Sequence, residues 1–216
     1  MNYAWARDFT LQLISQYTIA GDAVKLSYNN QADYVNKIPA LLDDAQEYVA
    51  TTVRRIRALV PLSALSRSRF GDVVVYSMPE DFWQMCSAGM VVFRDGKPFR
   101  YHRYHMLGER QFALDQELPG PVMVEYYRHP IHLGMNPADD DKLDNTYEVQ
   151  AALPYYVAAH LAMLDDAFAY QALYNEFESR LSRLTEMPQT EFNTIEDVYD
   201  PVWMHELETG GDCGCM

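Results

Sequence analysis

The sequence predicts a mainly α chain with an inserted antiparallel β module, an α+β fold whose helical bundle core is followed by an extended C-terminal arm. Three observations predict it. Apolar residues recur every three or four positions across 30–58 and again across 147–185. Between 72 and 128 the composition turns β-branched and aromatic around an Asp95-Gly96 turn. After Met187-Pro188 no period survives. The expected division is a folded domain over residues 1–187 and an acidic arm over 188–216.

The elements follow in order. RDFTLQLISQYTI places Phe9, Leu13 and Tyr17 on one face and predicts a helix over 7–19, broken by Gly21-Asp22. Tyr34, Ile38, Leu41, Ala45, Tyr48, Thr52 and Ile56 form the next stripe. Pro39 belongs in the first turn of a helix, so a short turn over 31–36 and a long helix over 39–58 are expected. Asp43, Asp44 and Glu47 near its start, and Arg54, Arg55 and Arg57 at its end, suit the macrodipole.

The β module, about 72–128, is expected to hold strands at Val73–Tyr76, Val91–Arg94, Pro98–Tyr104, Gln111–Leu114 and Val122–Tyr127, joined as a meander. Pro79-Glu80-Asp81 reads as the opening of one or two helical turns over FWQMCSA. Residues 130–146, with three consecutive aspartates, read as a loop. Helices return over about 147–164 and 166–185, with Asp165 or Asp166 capping the second.

Composition narrows the function classes. The 216 residues are 49% hydrophobic and include 16 tyrosines, enough for a sizeable core with aromatic surface left for contacts. No apolar run approaches the roughly 20 residues that span a bilayer, and MNYAWARDFT lacks the pattern of a secretory signal, so a cytoplasmic origin and no membrane partner are expected. The net charge of -14 disfavours adhesion to nucleic acid. Residues 185–216 hold eight acids and neither Lys nor Arg, which leaves -6 for the rest of the chain.

Residues that carry chemistry elsewhere are poorly arranged for it here. His102/His105 and His129/His132 are spaced so that a strand would turn each pair to opposite faces, away from a shared metal. Asp139-Asp140-Asp141 lacks the spacing of a calcium loop and reads as exposed. Asp43 and Asp44 face different directions on their helix and read as solvated. Cys86 reads as a core thiol; Cys213 and Cys215 are two ligands short of a zinc site. No nucleophile elbow, phosphate loop or dinucleotide fingerprint occurs. No enzyme, metal or cofactor is expected.

Three stretches read as contact surfaces. From Tyr48 to Gly71 there is no acid, while Arg54, Arg55, Arg57, Arg67 and Arg69 offer guanidinium groups to an acidic partner or a neighbouring subunit. Arg94, Lys97, Arg100 and Arg103 make the expected hairpin basic. The arm carries Phe192, Ile195, Tyr199, Trp203 and Leu207, more large apolar groups than a merely solvating tail holds, which suits a peptide that orders on binding.

In this order, three segments resemble the head–tail adaptor (connector, or head-completion) proteins of tailed phages, including tail tubular adaptors. They are YVNKIPALLDDAQEYVATTVRRI, then SMPEDFWQMCSAGMVVFRDGKPFRYH continuing to PVMVEYYRHPIHL, and LPYYVAAHLAMLDDAFAYQALYNEFESRL. The resemblance covers most of residues 30–185. It implies a dodecameric ring of copies of this chain in the virion neck, assembled in the host cytoplasm. The arm would dock on the portal protein, a further neck or tail protein would bind below, and DNA would pass through the lumen without specific binding. It implies no catalytic residues. Trp5 in a long aromatic N-terminus and the Cys-Gly-Cys end depart from the family pattern. A metal-dependent enzyme built on the histidines and acids, or another neck or tail-completion component, are the competing readings.

Overall fold

The computed structural model describes residues 1–17, 28–71, 73–94, 96–114, 118, 120–163 and 167–186. It is a mixed α+β structure with antiparallel sheets. In chain order the elements are α1 (Tyr3–Tyr17), α2 (Tyr28–Thr52), β1 (Ile56–Pro61), a 3-10 turn (Leu62–Ala64), β2 (Ser66–Phe70), β3 (Val73–Ser77), β4 (Phe82–Arg94), β5 (Lys97–Tyr101), β6 (His105–Met106), β7 (Gln111–Leu114), β8 (Val122–Arg128), α3 (Tyr147–Ala162) and α4 (Ala167–Glu186). None of the described helices is long and apolar enough to cross a membrane.

Two compact units are formed. The first takes the described residues of Met1–Ala58, Glu80–Gln84 and Tyr127–Gln189; the second takes those of Leu59–Pro79 and Met85–Tyr126.

In the first unit the four helices share one core. The sequence of α3, YEVQAALPYYVAAHLA, is apolar on all sides, and twelve of its sixteen residues are buried. A helix without a polar face must be surrounded. Tyr3, Ala6 and Leu13 of α1, Ile38, Leu42 and Val49 of α2, and Leu173, Phe177 and Leu181 of α4 join its cluster. Truncating a fully buried side chain such as Phe177 costs about 3–5 kcal/mol at a site of this kind.

The helix boundaries differ from the sequence expectation for physical reasons. α1 starts at Tyr3 rather than residue 7, because the Asn2 side chain accepts the Trp5 amide at 3.1 Å, and the amides of Tyr3 and Ala4 donate to the carbonyls of Asp141 and Asp139. First-turn donors with no helical partner are thereby satisfied. α2 is one helix over Tyr28–Thr52 with Pro39 inside it, not a turn over 31–36 and a helix over 39–58. Proline removes one helical hydrogen bond, and burial of Ile38 and Leu42 on either side offsets that loss. The helix stops at Thr52 because Thr51, Thr52 and Val53 are β-branched; Val53 and Arg54 both close onto the Val49 carbonyl, and the chain turns into β1. The stripe position Ile56 is therefore in a strand. Arg54, Arg55 and Arg57 do not decorate a helix end, so the macrodipole reading fails. α3 and α4 follow the expectation closely, and the Asp165 and Asp166 cap lies outside the described residues.

The expected meander is instead two four-stranded sheets, ordered β1-β8-β4-β5 and β2-β3-β7-β6. FWQMCSA is not helical: it begins the thirteen-residue strand β4. Phe82 and Trp83, with Val91, Val92 and Phe93 further along β4, outweigh the Pro-acid start. β4 bulges at Gly89/Met90, both opposite Tyr101. Gly89 has φ +64°, and a Cβ there would stand 3.1 Å from the Tyr101 carbonyl oxygen, so the bulge requires glycine. Arg94 pairs with Lys97 across the expected hairpin turn, where Gly96 has φ +74°. In the second unit the Tyr76 and Phe112 rings stack at 5.4 Å, and Met90, Val92 and Leu114 are also buried. Cys86 is buried, as expected of a core thiol.

Candidate functional site

The structural feature best suited to contact work lies in the first unit, where α2 grips the chain between β8 and α3. Asp43, Gln46 and Glu47 are spaced i, i+3 and i+4, so they share one helix face. Asp43 accepts the amides of Leu133 and Gly134 at 2.7 and 3.1 Å. Gln46, fully buried, accepts the Asp144 amide at 2.7 Å. Glu47 Oε1 lies 2.7 Å from His129 Nδ1.

The ends of the loop are closed by a charge pair. Arg128 donates to both oxygens of Asp144 at 2.6 and 2.9 Å, and the Ile131 amide donates to Asp144 at 2.9 Å. Burial by itself would raise the Asp144 carboxyl. The Arg128 guanidinium and the amides of Ile131 and Asn145 outweigh it and hold the group below the ordinary carboxylate range. Gln150 of α3 donates to the carbonyls of Leu143 and Asn145, both at 2.9 Å. Arg7 of α1 reaches Asp139 at 2.7 Å.

The outcome is a fixed irregular loop that holds two large apolar side chains in water: Ile131 is 67% exposed and Met135 88%. Loop ordering normally opposes binding; here that entropy is already lost on folding. Next to the loop, the His129 ring lies 6.2 Å from Trp83. The Arg55 guanidinium stands 5.2 Å over the Trp83 ring and 5.0 Å from that of Tyr127, and Arg57 stands 5.9 Å over Tyr127. Stacked rings orient Arg55 while leaving its donors for a carboxylate or phosphate.

The surfaces expected from sequence fare unequally. Arg54, Arg55 and Arg57 fall in the first unit and Arg67 and Arg69 in the second, on β2. The structure therefore does not gather the five arginines on one element. On the hairpin, Arg94 and Lys97 are cross-strand partners on one face, while Arg100, opposite Val91, points to the other. Arg103 follows β5 in an irregular stretch with His102. Phe192, Ile195, Tyr199, Trp203 and Leu207 of the arm, and Cys213 and Cys215, lie outside the described residues.

Asp139, Asp140 and Asp141 are exposed, as expected. Asp43 is not solvated: its side chain is 15% exposed and bonded to the loop. Asp44 is exposed but accepts the Tyr156 hydroxyl at 2.5 Å. The expectation of a solvated acid is corrected for Asp43, which satisfies donors far along the chain; Asp44 is exposed as expected and in addition accepts from Tyr156. His129 and His132 are directed to different acids, Glu47 and Asp43. Among the described residues, no three His, Cys, Asp or Glu side chains gather as a metal site. Sequence reasoning missed the loop clamp; its available signal was that Asp43, Gln46 and Glu47 share one helix face while Leu42, Ala45 and Val49 beside them are apolar.

In comparisons with protein-family models and with curated proteins, nothing matches the chain.

Proposed function

We propose that this chain is a head–tail adaptor subunit of a tailed phage: a structural virion protein that performs no chemistry. Its copies form a ring, a dodecamer, between the portal and the tail, and DNA passes through the lumen without specific binding. The protein is assembled in the host cytoplasm and resides in the virion neck. In this reading the four helices are the bundle core and residues 188–216 are an extended arm. Phe192, Ile195, Tyr199, Trp203 and Leu207 of that arm dock on the portal. The basic hairpin faces the next neck or tail protein.

The observation that carries the proposal is the order of the elements. A β insertion over Ile56–Arg128 divides α1 and α2 from the helices α3 and α4, which complete the same core. That is the arrangement implied by the resemblance of the three segments. The clamped loop supports it further. A ring subunit must present preformed surface to a neighbour, and Ile131, Met135 and the stacked Arg55 provide one.

Electron microscopy of virions, with the protein marked by a bound antibody fragment, tests the reading. The label is expected in a ring at the neck. Labelling of the capsid shell, or particles that lack the protein, would overturn it.

A further inference from the structure

Sheet edges are where a protein must either block or invite another strand. Of the four edge strands described here, β1 closes on Pro61, β5 contains Pro98 and β6 is two residues long. Each of these blunts its edge. β2 does not: it has five residues, none of them Pro, and every one is exposed. It pairs with β3 from Ser66↔Ser77 to Phe70↔Val73, and it ends the order β2-β3-β7-β6, so among the described residues no strand is paired with its far side. Phe70 is 68% exposed at one end.

The side chains select the partner. Arg67 and Arg69 lie two apart and so share a face. Two copies of β2 laid edge to edge would set like charges together, while an acidic strand would be attracted. The sequence of the chain contains a segment of that character. Between Pro188 and Pro201, residues 189–200 hold neither Pro nor Gly, four acids (Glu191, Glu196, Asp197, Asp200) and no Lys or Arg. Phe192, Thr194, Ile195, Val198 and Tyr199 give the segment high strand propensity. Glu191 and Asp197 fall on one face of an extended chain, Glu196 and Asp200 on the other, so either phase brings carboxylates to the arginine face.

We propose that β2 is a strand-addition site, and that its occupant is the segment 189–200 of a second copy of this chain. Assignment to a second copy rests on the ring reading above; the match of edge and strand does not. Because an added strand turns alternate side chains to opposite faces, the segment can pair with β2 and still offer half its side chains, with Trp203 and Leu207 beyond, to a portal.

The test uses the full-length chain alone. A photoreactive phenylalanine replaces Ile195, ordinary and heavy-isotope preparations are mixed, and cross-linked peptides are read by mass spectrometry. The expected product joins the arm to the peptide containing Ser66–Phe70, with mixed-isotope pairs present. R67E/R69E should lower its yield about fivefold, the effect of roughly two exposed ion pairs. E191K/E196K/D197K should do the same without touching the folded domain, and combining both sets should restore the yield. Cross-links confined to one isotope, directed elsewhere, absent, or indifferent to charge would each overturn the proposal. No portal or virion is involved, so failure here leaves the neck location standing, and a failed neck label leaves the cross-link standing.

Discussion

Arg128 and Asp144 face each other across the loop whose ends they mark, guanidinium to carboxylate through two bonds of 2.6 and 2.9 Å, with side chains 17% and 14% exposed. Such a pair is strongest as a pair. Loss of one member strands the other in a place poorly reached by water.

Asp144→Ala should therefore destabilise the chain by about 2–3 kcal/mol, less than a fully buried pair would, because the site retains some solvent. Denaturant unfolding measures this. The same residue sets an acid response. Its folded carboxyl lies below the ordinary value, so its contribution is present above the unfolded pKa of about 4 and is lost as pH falls through the lower folded value. Protection of the Ile131 amide, its exchange rate relative to the free-chain rate at each pH, should fall in that acid window and stay constant across it in Asp144→Asn. Equal acid dependence in both proteins would contradict the assignment.

Tyr156 offers a second titration. Its hydroxyl is raised well above the ordinary phenol value, first by burial and then by the Asp44 bond and charge. A group raised in this way adds stability below its unfolded pKa, about 10, and loses it as pH rises through the folded value. Tyr156→Phe should cost about 1 kcal/mol at neutral pH, Asp44 being exposed enough to find water. Absorbance titration should show one fewer late-ionising tyrosine in the variant; an unchanged count would place the raised phenol elsewhere.

Arg55 separates folding from contact. Its stacking on Trp83 and Tyr127 is worth about 0.5–1 kcal/mol at an exposed site, so Arg55→Ala should shift the melting temperature little. If the patch serves assembly with the portal, the same change should weaken assembly about tenfold, with Arg55→Lys in between, since lysine keeps the charge and loses the planar stack. Undiminished assembly of Arg55→Ala would remove the patch from the interface.

For the arm, truncation after Leu184 should leave a folded domain that no longer binds the portal. Trp203→Ala should weaken portal binding by about 1–3 kcal/mol without lowering the melting temperature. Titration of portal with each protein decides: a truncated chain that binds as well as the full one puts docking in the folded body.

What could be read from sequence was whatever repeats locally. Leu153 and Val157, or Phe177 and Leu181, announce buried helix faces by spacing alone, and they are buried. Val73–Tyr76 and Val122–Tyr127 announce strands in the same way. The end of α2 was hidden because Thr52 and Ile56 continue the helical stripe, while the β-branched Thr51-Thr52-Val53 run that stops it is a weaker signal. Strand order was hidden because partners such as β1 and β8 are far apart in the chain. So was the clamp: Asp43 finds its donors at Leu133 and Gly134, some ninety residues on, and no local pattern encodes such a distance.

The all-round burial of α3 also imposes a timetable on synthesis. α1 and α2 leave the ribosome with Ile38, Leu42 and Val49 belonging to a core that α3 and α4 complete. Roughly ninety residues, the whole β insertion among them, lie between Thr52 and Tyr147. At roughly 5–20 residues per second, that is a wait of about 5–20 s with an apolar helix face uncovered. A nascent chain in that interval is a natural client for ribosome-associated chaperones, and slowing translation within the insertion should lower the yield of folded protein more than slowing it after α4.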